Sequence, residues 1–380
     1  MRATLRVERI ALRMRAPLRT AGGSHSVREG ARITLTDEGG IIALGEAMPL
    51  ERFGTEALPR TLAALGALGA GTLELGEDPW ELGPALAPLD ALPAARHALE
   101  LAALDLQARR AGVSLASWLG RHAPGPVGAL AVGARSRVDP PATSIPVNAL
   151  LSAQAPDALA AEGLQATEQG ARTLKVKVAG GPIAQDVLRL RTLREAVGPT
   201  VRLRLDANGG WRRPEASRAL AALCDACAPE LCEQPVDAED VDGLGALRRE
   251  GHCPIGADEA LASPARAAEV IERGAADAVI LKPMVLGGLL PALRLGLMAR
   301  SRGLHAIVTS SLDGVIARAG AAHLAAVIGE ADWAHGLWVG PLFVDEPAHP
   351  YAPVRGAIVL PLEPGLGLSA DSAEAGRRQQ

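Results

Sequence analysis

Beyond residue 144 one pattern recurs eight times: a short apolar run followed by a longer stretch of helical periodicity. The runs fall at 144–151, 173–178, 201–206, 230–234, 253–258, 277–281, 305–309 and 334–339. A strand separated from the next by a helix cannot form a hairpin with it, so successive strands must run parallel. Eight such units close on themselves. The expected fold class is therefore α/β, a TIM-like (β/α)8-type barrel occupying residues 144–344.

The chain ahead of the barrel reads differently. Segments 3–14 and 31–46 alternate apolar and polar residues around turn signals such as Gly39-Gly40, and 57–111 turns helical, most strongly over Ala94 to Leu106. Residues 1–121 are expected to form an α+β capping domain whose loops around 16–30 and 49–56 close over the barrel mouth, with Gly22-Gly23 as a pivot. Residues 122–143, rich in Pro, Gly, Ala and Ser, read as a linker or insertion. Residues 345–380 are expected to return toward the cap and to end in a disordered polar tail from Ser369.

Composition excludes several function classes. A formal charge of −4 and an aromatic content of 2% suit neither nucleic acid nor an anionic membrane. Lys282 and Pro283 interrupt the best candidate for a membrane span. The N-terminus alternates as a strand does and lacks the apolar core of a secretory signal, so a cytoplasmic location is expected. Cys224, Cys227, Cys232 and Cys253 begin as C-x2-C, but the last pair lacks the short spacing of a zinc ribbon. Buried free thiols are the better reading. Whether the chain acts alone or as a homo-oligomer stays open.

The chemistry is signalled by scarcity. Of 39 basic residues only Lys175, Lys177 and Lys282 are lysines. Arginine keeps its proton at any workable pH, whereas a buried lysine can lose one and act as a base. Lys177 ends the run Leu174-Lys175-Val176-Lys177, and Lys282 follows Val279-Ile280-Leu281. Between them, Asp206, Glu233 and Asp258 end three successive runs, each 24 to 29 residues from its neighbour in the series. One βα unit per step places all five around one mouth. Three carboxylates with neither sulfur nor imidazole suit Mg²⁺, with Mn²⁺ second. Lys175 shares a strand face with Lys177 and would lower its pKa, making Lys177 the base and Lys175 its tuner. The implied reaction removes a proton next to the carboxylate of a small-molecule substrate, with a coordinated cation stabilising the charge that develops. Arg204, on the face of Asp206, reads either as a support beneath the site or as a core-edge arginine. A barrel that only binds a carboxylate, without catalysis, is the non-enzymatic alternative.

These residues resemble the enolase superfamily, specifically its muconate-lactonising-enzyme branch. The resemblance rests on Arg28-Glu29-Gly30 and Gly45-Glu46 in the cap, the Ala98-to-Leu106 helix, the Lys-x-Lys strand, Asp206-Ala207-Asn208, Glu233-Gln234-Pro235 and Asp258-Glu259. Within the branch the chain is most similar to the o-succinylbenzoate synthases, through Ile307 to Gly314 and His335 to Phe343. The resemblance implies a Mg²⁺-dependent syn-dehydration of 2-succinyl-6-hydroxy-2,4-cyclohexadiene-1-carboxylate in menaquinone biosynthesis. Lys177 would then remove the α-proton and return it to the departing hydroxyl. Lys282 would stand as a cation against the ring, and Asp206, Glu233 and Asp258 would bind the metal. Ser310, Ser311 and Gly288 would contact the succinyl carboxylate, or the serines would serve only as a helix N-cap. The branch commonly carries Glu where this chain has Asp313. Its dipeptide epimerases usually show Asp-x-Asp where this chain reads Gly336-Leu337-Trp338. An N-acylamino acid racemase, or another epimerase or cycloisomerase of the branch, is the enzymatic alternative.

Overall fold

The computed structural model describes residues 1–20, 23–124, 141–344, 346 and 349–369, with 16–20 and 23–25 described by backbone only. Most of the 122–143 insertion and nearly all of the tail expected to be disordered lie outside these residues. The first sheet is antiparallel and pairs β3 (Ile42–Ala47), β2 (Gly23–Asp37), β1 (Arg2–Thr20) and β4 (Thr72–Glu74) in that order. Alternation decides its faces: Ile33 and Leu35 on β2 are fully buried, whereas Thr4 and Arg6 on β1 face solvent. Four helices follow or interrupt it: α1 (Leu58–Leu68), α2 (Gly83–Leu86), α3 (Pro93–Arg110) and α4 (Leu115–Arg121). Of these, α3 is buried almost throughout and packs against β3.

The region around 16–30, expected as a loop, is instead the continuation of a β1–β2 hairpin. Its register shifts between Arg13 and Leu18, a span that includes Pro17. An irregularity of this kind absorbs a residue that lacks a backbone N–H, so Pro17 does not end the strand. Gly22, half of the expected pivot, lies outside the described residues. The hairpin is tied to the barrel: Met14 bridges to Phe343, and the Val344 N–H donates to the Arg13 carbonyl at 2.8 Å.

The eight expected runs are eight parallel strands. They are β5 (Ser144–Leu151), β6 (Thr173–Lys177), β7 (Arg202–Asp206), β8 (Leu231–Glu233), β9 (Ile255–Ala257), β10 (Ala278–Leu281), β11 (His305–Val308) and β12 (His335–Trp338). Each neighbours the next in chain order, and β12 returns to β5. The ring closes between β11 and β12 through a bridge from Thr309 to Gly336. A Cβ on Gly336 would lie 2.3 Å from Thr309 Oγ1, so this seam needs glycine. The helices between strands are α5 (Pro156–Glu168), α6 (Ile183–Val197), α7 (Arg213–Cys227), α8 (Val241–Glu250), α9 (Pro264–Glu272), α10 (Leu289–Ser301) and α11 (Val315–Ile328). After the barrel, β13 (Ala357–Val359) pairs antiparallel with β5, and Leu366 donates its N–H to Asp105 of α3.

The strand pattern generates two cores. Leu174, Val176, Leu203 and Leu205 point outward into the large cluster beneath the helices. Their neighbours Lys175, Lys177, Arg204 and Asp206 therefore point into the barrel, because successive side chains on a strand face opposite sides. A small inner cluster of Leu231, Ala278, Ile280 and Ile307, with Trp333 against it, fills the barrel beneath them. The polar residues are thus held above an apolar plug.

Candidate active site

Parallel pairing aligns the strand ends. Lys177 on β6 lies opposite Asp206 on β7, and Asp206 opposite Glu233 on β8. Asp258 follows the last residue of β9, and Lys282 the last residue of β10. All five line one cavity at the C-terminal end of the barrel, together with Lys175 and Arg204. Its volume of about 100 Å³ is small, and the lysine side chains lean on the carboxylates within it. A larger cavity of about 720 Å³ lies apart, lined by Trp80, Arg96, Glu100 and Arg294, and touches none of the five. Size does not mark the reactive centre here; the convergence of titratable groups does.

The contacts alternate in charge. Lys175 Nζ donates to Glu233 Oε1 at 2.6 Å and lies 2.9 Å from Asp206 Oδ2. Lys282 Nζ pairs with Asp258 at 2.6 Å. Lys177 Nζ instead donates to Asn208 Oδ1 at 2.7 Å, and Asn208 Nδ2 donates to Glu259 Oε1 at 2.9 Å. Burial works to lower the Lys175 pKa, but the charges of Asp206, Glu233 and Asp258 outweigh it and raise the group well above its ordinary value. Lys282 is likewise raised, against burial, by Asp258 and Glu259. Asp206 is held below its ordinary value despite burial, by Lys175, Lys177 and Lys282. Glu233 moves the other way, raised by burial first and then by Asp206 and Asp258, in spite of its contact with Lys175.

The sequence expected Lys175 to press on Lys177. In the structure Lys175 is paired with two carboxylates, so most of its field is spent there. Arg204 is buried at the cavity floor, donating to Glu230 at 2.6 Å and to the Ala334 carbonyl at 2.5 Å, with its guanidinium over the Trp333 ring. With Glu230, Ala334 and Trp333 as its partners, it shares the inner strand face with Asp206 two residues on. Ser310 lines the cavity, while Ser311 lies behind it, buried. Neither caps a helix, since α11 starts at a Gly314 N-cap with no side-chain bond. Gly288 is removed from the cavity: its N–H donates to the Pro283 carbonyl at 2.8 Å, and a Cβ there would strike the Glu100 carboxyl at 2.2 Å. Close backbone packing, not ligand contact, accounts for that glycine.

Four cavity residues were missed. Asn148 lies within β5, while Asn208 and Glu259 follow the ends of β7 and β9 and belong to motifs already singled out. Phe53, from the short turn Glu51–Phe53, stands over Lys282 with Nζ 4.9 Å from its ring centroid. It is one of two phenylalanines in the chain, so the scarcity that exposed the lysines could have exposed it too.

The donor set suits a hard divalent cation: three carboxylates on adjacent rigid strands, with a fourth, Glu259, whose Oε2 is buried and lacks a hydrogen-bond partner. The upward push on Glu233 comes first from burial and then from the charges of Asp206 and Asp258, and a bound cation would oppose it. As they stand, the acidic side chains turn toward lysines, and among the described residues no three acidic, histidine or cysteine groups converge on one point. The four cysteines are unpaired thiols, three of them buried. No helix among the described residues is long and apolar enough to cross a membrane.

The profile of the Enolase C-terminal domain-like family matches residues 158–375. The chain belongs to this family. Within the enolase superfamily it falls in the muconate-lactonising-enzyme branch, and it is an enolase-superfamily enzyme. It is 31% identical to the L-Ala-D/L-Glu epimerase of Bacillus subtilis over 85% of this chain and 84% of the relative. It is 40% identical to the o-succinylbenzoate synthase of Mycobacterium ulcerans over 56% of this chain and 63% of the relative. Its fold matches the dipeptide epimerase of Enterococcus faecalis complexed with Mg and L-Leu-L-Tyr, with a TM-score of 0.84 and 26% identity over 97% of this chain and 99% of that one. Enolase-superfamily sites use Mg²⁺, and the donor set here fits it.

Proposed function

We propose that this enzyme removes a proton from the carbon next to a carboxylate and, by that route, dehydrates 2-succinyl-6-hydroxy-2,4-cyclohexadiene-1-carboxylate to o-succinylbenzoate. The observation that carries the reading is the order of the strand ends: lysine, three carboxylates, lysine, in register around one mouth. In this reading residues 1–121 form the cap, 144–344 the catalytic barrel, and the segment from 345 returns to the cap. Asp206, Glu233 and Asp258 hold Mg²⁺, or Mn²⁺ in its place. When bound, the ion supplies fixed positive charge beside the substrate carboxylate, whose oxygens gain negative charge as the α-proton leaves.

The remaining work falls to side chains of the barrel. Lys177 takes the α-proton through Nζ, with Asn208 and Glu259 fixing the direction of that nitrogen. It then returns the proton to the departing hydroxyl, so the ring loses one molecule of water. Lys282 remains an ammonium and faces the developing negative charge. Arg204 supports Asp206 from below. Ser310, with Ser311 behind it, faces the succinyl end of the substrate.

Two features favour dehydration over dipeptide epimerisation. The eighth strand presents Gly336-Leu337-Trp338, which offers no carboxylate to a dipeptide ammonium. The cavity away from the metal row is lined by Phe53, Leu150, Ile280, Ile307, Leu312 and Trp338, a surface suited to a carbocyclic ring. The pair of lysines also supports a second reading, racemisation of an N-acylated amino acid, in which each serves as base for one enantiomer. One assay separates them. With Mg²⁺, conversion of the cyclohexadiene carboxylate is expected to give the ultraviolet absorbance of o-succinylbenzoate. Solvent deuterium entering N-succinyl amino acids, without that absorbance, would favour the racemase. Neither activity, together with no Mg²⁺ binding, would leave a silent carboxylate-binding barrel.

A further inference from the structure

The cap segments Arg28-Glu29-Gly30 and Gly45-Glu46 carry charges that proton transfer at the lysines leaves unused. Arg28 and Glu46 are only 3% and 2% exposed, and both reach from the first sheet to the segment that follows β11. Arg28 Nε donates to the Leu312 carbonyl at 3.3 Å, while Nη1 and Nη2 hold the carbonyls of Pro49 and Met48 at 3.2 and 2.5 Å. Leu312 lines the reaction cavity and sits at φ 62°, in the left-handed region that a branched side chain rarely adopts. A backbone so disfavoured needs an external hold, and the guanidinium gives it one.

Glu46 holds the next residues. Its carboxyl lies over the first turn of α11, where the N–H groups of Gly314 and Ala317 offset part of the upward push that burial and Asp313 give it. That helix has no side-chain N-cap of its own, and a Cβ on Gly314 would stand 2.5 Å from Glu46 Oε2. Asp313 accepts the Ser311 N–H at 3.0 Å from within the segment. The hydroxyls of Ser310 and Ser311 have no hydrogen-bond partner although both are buried. The segment is therefore hydrogen-bonded at Leu312 and closely packed at Gly314 against another sheet, while its hydroxyls stay uncommitted beside the cavity.

We propose that Arg28 and Glu46 are positioning residues that set the 310–314 backbone, and through Ser310 decide which remote polar or anionic group of the substrate is accepted. Neither touches the reacting carbon. The inference rests on the reading that a carboxylate substrate reacts between Lys177 and Lys282. A residue that orients only the far end of a substrate affects binding in ground and transition state alike, so its loss raises KM and spares kcat.

The test combines kinetics with backbone hydrogen exchange on Arg28→Lys, Arg28→Met and the near-isosteric Glu46→Gln in the full chain. With the cyclohexadiene carboxylate and Mg²⁺, KM is expected to rise about tenfold in Arg28→Met and Glu46→Gln, with kcat changed less than about threefold and Arg28→Lys intermediate. Mg²⁺ affinity should not move. Exchange should quicken in the peptide covering 309–315 and stay unchanged in the peptide covering Lys177. A fall in kcat at constant KM would overturn the proposal, as would unaltered exchange at 309–315 in a folded variant. If Arg28→Met does not fold, Glu46→Gln carries the same two readouts. A wild-type chain that leaves the precursor untouched would sink the dehydratase reading instead, and the exchange result would still decide the positioning role.

Discussion

Two clusters of buried charge lie at the same end of the barrel and are built from different cations. At the mouth, Lys175, Lys177 and Lys282 stand among Asp206, Glu233 and Asp258. Between cap and barrel, Arg28 and Arg318 stand among Glu46 and Asp313, all nearly inaccessible to solvent. The chain uses arginine almost everywhere and reserves its three lysines for the mouth. Lysine can release a proton and swing on a flexible stem; arginine keeps its charge and presents a rigid fork. On the proposed mechanism, the difference separates the cluster whose protonation changes from the one that holds a backbone still. Even arginine does not fully offset the dry interior there. Burial, then the charge of Asp313, raises Glu46 to about 7, and burial raises Asp313 to about 6.

The contrast is tested most severely by Lys177→Arg, which puts in place of the proposed base a cation that cannot release its proton. Turnover of the cyclohexadiene carboxylate, followed by absorbance, is expected to fall on the order of 10²–10⁴-fold. Retention of a tenth of the activity would erase the distinction between the two cations. Next in size, Asp206→Asn should weaken Mg²⁺ binding at least about tenfold in a titration. Arg28→Lys, in the other cluster, should leave that affinity alone. Equal losses would mean that the clusters are one electrostatic unit.

A smaller effect is expected at Gly314→Ala, whose methyl group would collide with the Glu46 carboxyl. Overpacking of this sort costs about 1–3 kcal/mol, visible as a lowered Tm. An unchanged Tm would show that this contact is loose.

The smallest effect concerns pH. Glu46 faces Asp313 and Arg318, with the first turn of α11 beside it, and its folded pKa of about 7 lies above the ordinary 4.5. A raised acid stabilises the fold fully below its unfolded value, and that contribution is lost as pH rises through the folded value. Between pH 4.5 and about 7 the wild type should therefore lose more thermal stability than Glu46→Gln, which has no proton to release. Parallel Tm profiles would show that the carboxyl is not held as the geometry implies.

Much of the barrel was legible because its signals are periodic. One strand and one helix per unit bring the chain back to the same rim, so the residue ending each apolar run had to meet the residue ending the next. Alternation along each strand then turned Lys175, Lys177, Arg204 and Asp206 inward. Where periodicity was weak, the reading failed. The segment around 16–30 was expected to be a loop, and pairing between β1 and β2 makes it a hairpin. Gly287-Gly288 suggested ligand contact, whereas Gly288 answers to the Glu100 carboxyl.

The barrel and the order lysine, three carboxylates, lysine around its mouth follow from spacings within single βα units and are written along the chain. The remaining contacts depend on packing between distant segments. That packing turned Lys175 onto Asp206 and Glu233 and left Lys177 to Asn208. It also brought Arg28 to the Leu312 carbonyl, 284 residues away in the chain, and Glu46 to the start of α11. Contacts of that span depend on how one sheet packs against another body, and no local period of hydrophobicity encodes that packing.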